Sequence, residues 1–212
     1  METEELAIFT ENMERIGTRT RAEVHARGYW HETFQCWFIK EENKRTFLLF
    51  QLRAAQKKDF PNTLDITAAG HLLSHETPRD GVREIREELG LHLAFEDLIE
   101  TGIIKDHILL GELKDYEFCH SYFYQLTQPL DTFVLQEEEV QGVFWIELDD
   151  FERLILLEIK RIGANGYLRQ ADGTLQLSKK RYKLADFCPH NAHYYLEIIH
   201  TARRLMQEKL LP

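Results

Sequence analysis

The chain has 212 residues, enough for one generous domain or one domain with a helical appendage, and its 43% hydrophobic and 29% charged residues exclude disorder as the default. A formal net charge of −10 argues against a broad face for a nucleic-acid polymer, which needs clustered Lys and Arg, although divalent metals let an acidic protein bind polyphosphate. No run approaches the roughly 18 to 20 apolar residues of a membrane span, and Met1 to Gly17 is too acidic and polar for a secretory signal, so a cytoplasmic protein without membrane contact is expected.

Runs rich in Phe, Trp, Tyr, Val and Ile predict strands over His31–Lys40, Arg45–Ala54 and Leu64–Ala68. A helix is predicted over Pro78–Leu89: Thr77 suits the N-cap, Pro78 the first helical position, Asp80 an approximate capping box, and Gly90 the left-handed C-terminal turn. Val82, Ile85 and Leu89 share one stripe at helical spacing, whereas Glu84, Glu87 and Glu88 fall on the other side. Gly81, costly inside a helix, marks close backbone packing against the sheet. Strands resume over Tyr116–Leu126 and Val140–Ile146.

Between Gly163 and Gly173, Asn, Gly and Asp gather, which predicts a link between a domain over residues 1–162 and an extension over 163–212 packed on the same domain. The extension carries a helix predicted over Asn191–Lys209. Strands interrupted by one strong helix predict a mixed α/β (α+β) fold whose sheet is not simply parallel. Cys36, Cys119 and Cys188 are odd in number with no CxxC pair, so neither a disulfide framework nor a structural zinc site is indicated.

Three carboxylates within one and a half turns repel one another by a few tenths of a kcal/mol per i,i+4 pair. Mg²⁺ or Mn²⁺ offsets that cost, because hard cations prefer carboxylate oxygens and keep waters that can be activated for attack on phosphorus. A solvated acidic helix face is the alternative for these glutamates taken alone.

They sit within a longer pattern. Gly70, then Glu76, then Arg83-Glu84-Ile85-Arg86-Glu87-Glu88-Leu89-Gly90-Leu91 resembles the Nudix box, G-x5-E-x7-R-E-U-x-E-E-x-G-U, where U is a bulky apolar residue. Six residues rather than seven separate Glu76 from Arg83, a shortening at the helix entrance expected to displace Glu76 relative to Arg83 and to leave the helix carboxylates in register. The resemblance implies a Nudix fold, a mixed sheet sandwiched between helices, with homodimers common among relatives. It also implies divalent metals held by Glu84, Glu87 and Glu88, with Arg83 orienting a carboxylate and Gly70 and Gly90 permitting the turns.

Residues from His25 to Glu117 are also similar to the Nudix-fold isopentenyl-diphosphate isomerases and related hydrolases. The shared pieces are Trp30-His31-x2-Phe34-x2-Trp37, Arg53-x3-Lys57-x2-Phe60-Pro61 and Gly70-His71. That similarity implies a second metal site of His25, His31, His71, Asp115 and Glu117, with His25 one residue nearer His31 than usual and Asp115 where a glutamate is usual. Imidazoles with carboxylates suit Zn, Mn or Fe better than Ca. Asp115 and Glu117, at i,i+2, project from one face of a strand.

Isomerization in that group uses a cysteine immediately before the Gly-His pair as an acid/base group, and here the position is Ala69, whose methyl cannot exchange a proton. The resemblance therefore implies hydrolysis of a diphosphate bond in a small nucleoside-polyphosphate-like or related substrate by a metal-activated water. An isopentenyl-diphosphate isomerase and a Nudix-fold ligand sensor are the alternatives. Arg53 and Lys57 are candidates for the far phosphate, in competition with ordinary surface charge. Glu137-Glu138-Glu139, in the loop before the Val140 strand, is read as a solvated loop or a source of the general base. The segment from Arg181 to His193 covers the site or extends a dimer face; its pattern does not decide between them.

Overall fold

From Thr33 to Ile39 every residue is buried, the pattern of a strand covered on both faces, and this run forms the centre of the fold. The computed structural model describes residues 3–208. The chain runs β1 (Glu5–Phe9), β2 (Arg15–Thr20), α1 (Arg21–Arg27), β3 (Trp30–Glu42), β4 (Arg45–Arg53), β5 (Leu64–Asp65) and β6 (Ala68–His71). It continues through α2 (Arg83–Leu89), β7 (Ile99–Leu110), β8 (Leu113–Gln125), β9 (Val140–Glu147), α3 (Leu148–Ile155), β10 (Ile162–Arg169), β11 (Leu175–Tyr182) and α4 (Ala192–Glu208).

Among the described residues the strands form one sheet, ordered β11-β10-β9-β4-β3-β1-β2 along its main path, with β8 beside β3 and β7 beside β8. The β3–β8 pair is parallel, Trp30 opposite Tyr116 through Ile39 opposite Gln125, and the other pairs are antiparallel, so the sheet is mixed. Alternation along β3 and β4 sends Trp37, Ile39, Leu48 and Phe50 to a core shared with Phe151 of α3 and Tyr194, Tyr195 and Ile198 of α4. Phe34, Cys36, Phe38 and Leu49 face the opposite way, onto Ile85 and Leu89 of α2. Each such side chain fully removed from water contributes about 1.5–3 kcal/mol. The architecture is α+β, a sheet between helices, as expected.

Several elements depart from the pattern reading. Leu64–Ala68 is not one strand: β5 pairs with β4 and β6 with β3, and Thr67 makes the crossing by donating to Leu49 O and accepting from Phe38 N–H at 2.9 Å. Gly163–Gly173 is not a link but most of β10 and its hairpin turn into β11, both within the sheet. Glycine serves close approach there, since a Cβ on Gly166 would lie 1.9 Å from Val143 O. The helix at Pro78–Leu89 begins as turns and a 3₁₀ segment, Asp80–Val82, and becomes α-helical at Arg83. Residue 209, the predicted end of the last helix, lies outside the described residues.

Helix α1 was absent from the pattern reading although its ends are marked. Thr20 and Glu23 form a reciprocal capping box, and Gly28, at φ +72°, closes the helix in the left-handed region.

Candidate functional site

A cavity of about 710 Å³ opens beside β6, between α2 on one side and α1 and the segment preceding α4 on the others. Two glycines set its α2 wall. A Cβ on Gly81 would meet Phe34 Cβ at 2.4 Å, so the helix entrance lies hard against β3, as its cost within a helix foretold. A Cβ on Gly70 would lie 2.0 Å from Glu84 Oε1, so only glycine lets this carboxylate rest on the strand.

Arg83 organises the wall. Its Nε and Nη2 donate to Glu76 Oε1 and Oε2 at 2.8 and 3.0 Å, Nη2 also reaches His71 O at 3.1 Å, and Nη1 donates to Glu84 and, at 3.3 Å, to Glu87 Oε2. The shortened spacing therefore does not part Glu76 from Arg83. Its physical remedy is the 3₁₀ segment: three residues rising about 2.0 Å each instead of about 1.5 Å recover roughly one α-helical residue of length.

Glu84 and Glu88, one turn apart, both line the cavity, and Glu87 lies more exposed beside them. Glu88 is not on a solvated face: it is buried, accepting from Ala69 N–H at 3.1 Å and from Gln51 Nε2 at 3.3 and 3.4 Å. Burial, reinforced by Glu84 and Glu139, pushes its carboxyl well above the usual range. Burial likewise raises Glu84 to about 7, with Glu87 and Glu76 adding to the effect and Arg83 opposing it. Carboxylates so placed resist ionisation until a cation stands between them.

Across β6 lies a second constellation. His25 of α1, His31 of β3, His71 of β6 and Asp115 of β8 each offer a ligand atom, all within 4.8 Å of one another. His25 Nε2, His31 Nε2, His71 Nε2 and Asp115 Oδ1 are buried without a hydrogen-bond partner; the two imidazoles nearest Asp115 stand 3.5 Å from it without hydrogen-bonding geometry. Stranded polar atoms cost about 1–3 kcal/mol each, so four converging on one point need a common partner. Burial lowers His31 to about 4, His71 well below its usual value and His25 in the same direction, leaving neutral imidazoles suited to a metal. The Tyr29 carbonyl, 3.1 Å from His31 Nδ1, fixes the tautomer that presents Nε2 to the cluster. The N₃O donor set suits Zn, Mn or Fe.

Glu117, the fifth residue expected there, is outside this group. It lines the same cavity, but its Oε2 accepts from Gln35 Nε2 at 3.0 Å and Thr33 Oγ1 at 3.3 Å. Burial and Asp115 raise its carboxyl to about 8.

Arg53 and Lys57 also reach the cavity, each already engaged. Arg53 donates to Asp65 Oδ2 at 2.9 Å and to Asp59 O at 3.0 and 3.3 Å, holding the loop after β4; Lys57 pairs with Glu139. Glu138 and Glu139 line the cavity rather than standing wholly in solvent. The segment before α4 joins the site: Cys188 N–H donates to Leu64 O at 2.7 Å, and His190 is clamped between Asp65 Oδ1 at 3.0 Å and Asp106 Oδ2 at 2.6 Å. Arg21, Gln35, Gln51, Asp65 and Asp106 escaped the sequence reading, whereas His190 fell within the Arg181–His193 segment expected to cover the site or extend a dimer face. Only Arg21 had a local signal, the capping box that opens its helix.

A NUDIX domain model matches residues 30–167, and the chain belongs to the Nudix family. It is 41% identical to an uncharacterized Nudix hydrolase of Clostridium acetobutylicum, over 98% of this chain and 100% of that protein. An isopentenyl-diphosphate Delta-isomerase of Aliivibrio fischeri is 27% identical over 71% of this chain and 84% of its own length. Among solved structures, DR0079 from Deinococcus radiodurans has a similar fold, with a TM-score of 0.51, 19% identity, and coverage of 73% of this chain and 90% of that one. Among the described residues no helix is long and apolar enough to cross a membrane.

Proposed function

We propose that the chain is a divalent-metal-dependent diphosphohydrolase acting on a small nucleoside-polyphosphate-like or related diphosphate. The observation that carries this reading is the placement of part-buried Glu84 and buried Glu88 side by side in a cavity wall, where both resist ionisation. Glu84, Glu87 and Glu88 would hold Mg²⁺ or Mn²⁺, and His25, His31, His71 and Asp115, with Glu117 adjoining, would hold a second ion. Bound there, the ions would supply charge neutralisation along the diphosphate and a lowered pKa for attacking water.

The chain's own residues do the rest. Arg83 holds Glu84 and Glu87 together and ties them to the strand that carries His71. Ala69 N–H and Gln51 fix the rotamer of Glu88. Glu138 and Glu139 face the cavity as candidates for the base that takes a proton from water, Glu139 restrained by Lys57. The isomerase reading is favoured by the histidine cluster and opposed by the Ala69 methyl in the cavity wall, which offers no proton.

The deciding experiment measures phosphate release from nucleoside di- and triphosphates, nucleotide sugars and isopentenyl diphosphate with Mg²⁺ or Mn²⁺, together with double-bond migration in the last. Hydrolysis is expected, lost by orders of magnitude in Glu87→Gln and Glu88→Gln. Unchanged rates in those variants would remove the helix from the mechanism, and isomerization without hydrolysis would overturn the proposal.

A further inference from the structure

His31, Thr33, Gln35 and Trp37 alternate along β3 and so share one face, a polar stripe leading from the histidine cluster toward α4. Its hydrogen bonds have a forced direction. Trp37 Nε1 can only donate, and it donates to Tyr194 Oη of α4 at 3.3 Å. Tyr194 Oη, having accepted that bond, donates its own proton to Gln35 Oε1. The Gln35 amide is thereby oriented with Nε2 toward the cluster, where it donates to Glu117 Oε2 at 3.0 Å and to Thr33 Oγ1 at 3.3 Å. Thr33 Oγ1 passes its proton on to the same Glu117 oxygen at 3.3 Å. Gln35, Trp37 and Tyr194 are at most 1% exposed, so the bonds among these three are shielded from water. Tyr194 is itself pinned by His190, whose ring stacks on it at 4.6 Å and is clamped by Asp65 and Asp106.

We infer that Tyr194 is a positioning residue for Glu117, the cavity-lining carboxylate that adjoins the four-donor cluster, acting through Gln35, so that α4, which lies beyond the matched NUDIX segment, tunes the affinity of the histidine-rich site for its ion. The inference rests on the reading of that cluster as a metal site. Partners that orient a metal site's acidic groups from behind typically govern affinity by roughly tenfold to a hundredfold. Without the Tyr194 hydroxyl the Gln35 amide is free to flip, and Glu117 then meets a carbonyl in place of a donor.

Cobalt(II) titration of the full chain tests this, because imidazole nitrogens shift the visible d–d band of Co²⁺ away from that of an all-oxygen octahedral ion, and a coordination number below six also intensifies it. The wild type is expected to develop that band and His31→Gln to lose it. Tyr194→Phe and Gln35→Met should each weaken Co²⁺ binding at the band roughly tenfold and shift its position, and the double variant should be no weaker than either alone. Should Tyr194→Phe fail to fold, Gln35→Met decides by the same criterion. Wild-type affinity in both single variants, with or without a lower Tm, while His31→Gln loses the band, would overturn the role of Tyr194 and keep the metal site. Losses that multiply in the double variant would overturn the relay. No band in the wild type, or an unchanged band in His31→Gln, would overturn the metal site and the inference together.

Discussion

Replacing His190 by Asn removes a buried charge from between two carboxylates and leaves at most one of its hydrogen bonds. Asp65 retains Arg53 and the Ile66 N–H, each at 2.9 Å, whereas Asp106 keeps the Asn191 N–H at 3.4 Å. Burial works against ionisation of Asp65, but His190 and then Arg53 overcome it and hold the carboxyl at about 2, below its ordinary 3.8. That drop corresponds to about 2.5 kcal/mol in favour of the charged form at neutral pH, part of which survives through Arg53. Stranding a buried charge by removing its partner costs about 3–5 kcal/mol, and Asp106 falls under that rule. A loss of about 3 kcal/mol is expected, or about 6–12 °C in Tm for a chain of this size.

The pH dependence has two arms. The contribution of Asp65, whose carboxyl is depressed, is present above about pH 4 and is lost as pH falls toward 2. The imidazole of His190 is raised well above 6.5; burial opposes its charge, but Tyr195, Cys188 and the bonds to Asp106 and Asp65 outweigh it. Its contribution is therefore complete below about pH 6.5 and is lost as pH climbs through the raised value. Thermal unfolding followed by circular dichroism in EDTA, from pH 5 to pH 9, should show an alkaline decline in the wild type that is weaker in His190→Asn. A Tm change under about 2 °C, or identical alkaline slopes, would refute the clamp.

Glu88→Gln should abolish turnover yet raise the Tm of the chelated protein by a few degrees, because an amide there neither carries a charge to desolvate nor has to take up a proton on folding; a lower Tm in EDTA would count against the reading. Gly81→Ala should destabilise by about 1–3 kcal/mol despite a helix-propensity gain of about 1 kcal/mol, since its Cβ would collide with Phe34; urea unfolding measures it. Arg83→Lys loses the two-pronged grip on Glu76 together with the bond to His71 O, and kcat/KM is expected to fall at least tenfold with a weaker Mn²⁺ dependence. A conservative outcome there, within twofold of wild type, would show that point charge alone suffices.

How much of this was legible depended on the distance over which a signal had to act. The box glutamates were legible because helical spacing fixes their geometry within two turns, and Gly81 betrayed the packing at their entrance. The histidine cluster draws on four separate elements, so no periodicity announces it, and only resemblance pointed to His25, His31, His71 and Asp115 together. Gly163–Gly173 was misread because glycine that admits a neighbouring backbone looks, in sequence, like glycine that loosens a linker. Strand β7 went unseen for a related reason: Asp106 is buried within it, a charge that argues against a strand until His190, 84 positions away, is brought to it.

The cavity's cations carry a further consequence for how an anionic substrate is met. Among the described residues, Arg53 pairs with Asp65, Lys57 with Glu139, Arg83 with Glu76 and Glu84, and Arg21 lies 3.9 Å from Glu4. Their charge is balanced before any phosphate arrives, in a chain whose net charge is −10. A diphosphate that recruited them directly would take them from the carboxylates they now hold, which are part-buried apart from the buried Asp65. On the proposed reading the positive charge comes instead from divalent ions seated on Glu84, Glu87 and Glu88 and on the histidine cluster, where the carboxyls of Glu84 and Glu88, pushed above their usual range by burial, and partnerless imidazoles gain by their arrival. Substrate affinity in this cavity is then a property of the loaded protein, and the surrounding arginines serve chiefly to hold the walls in place.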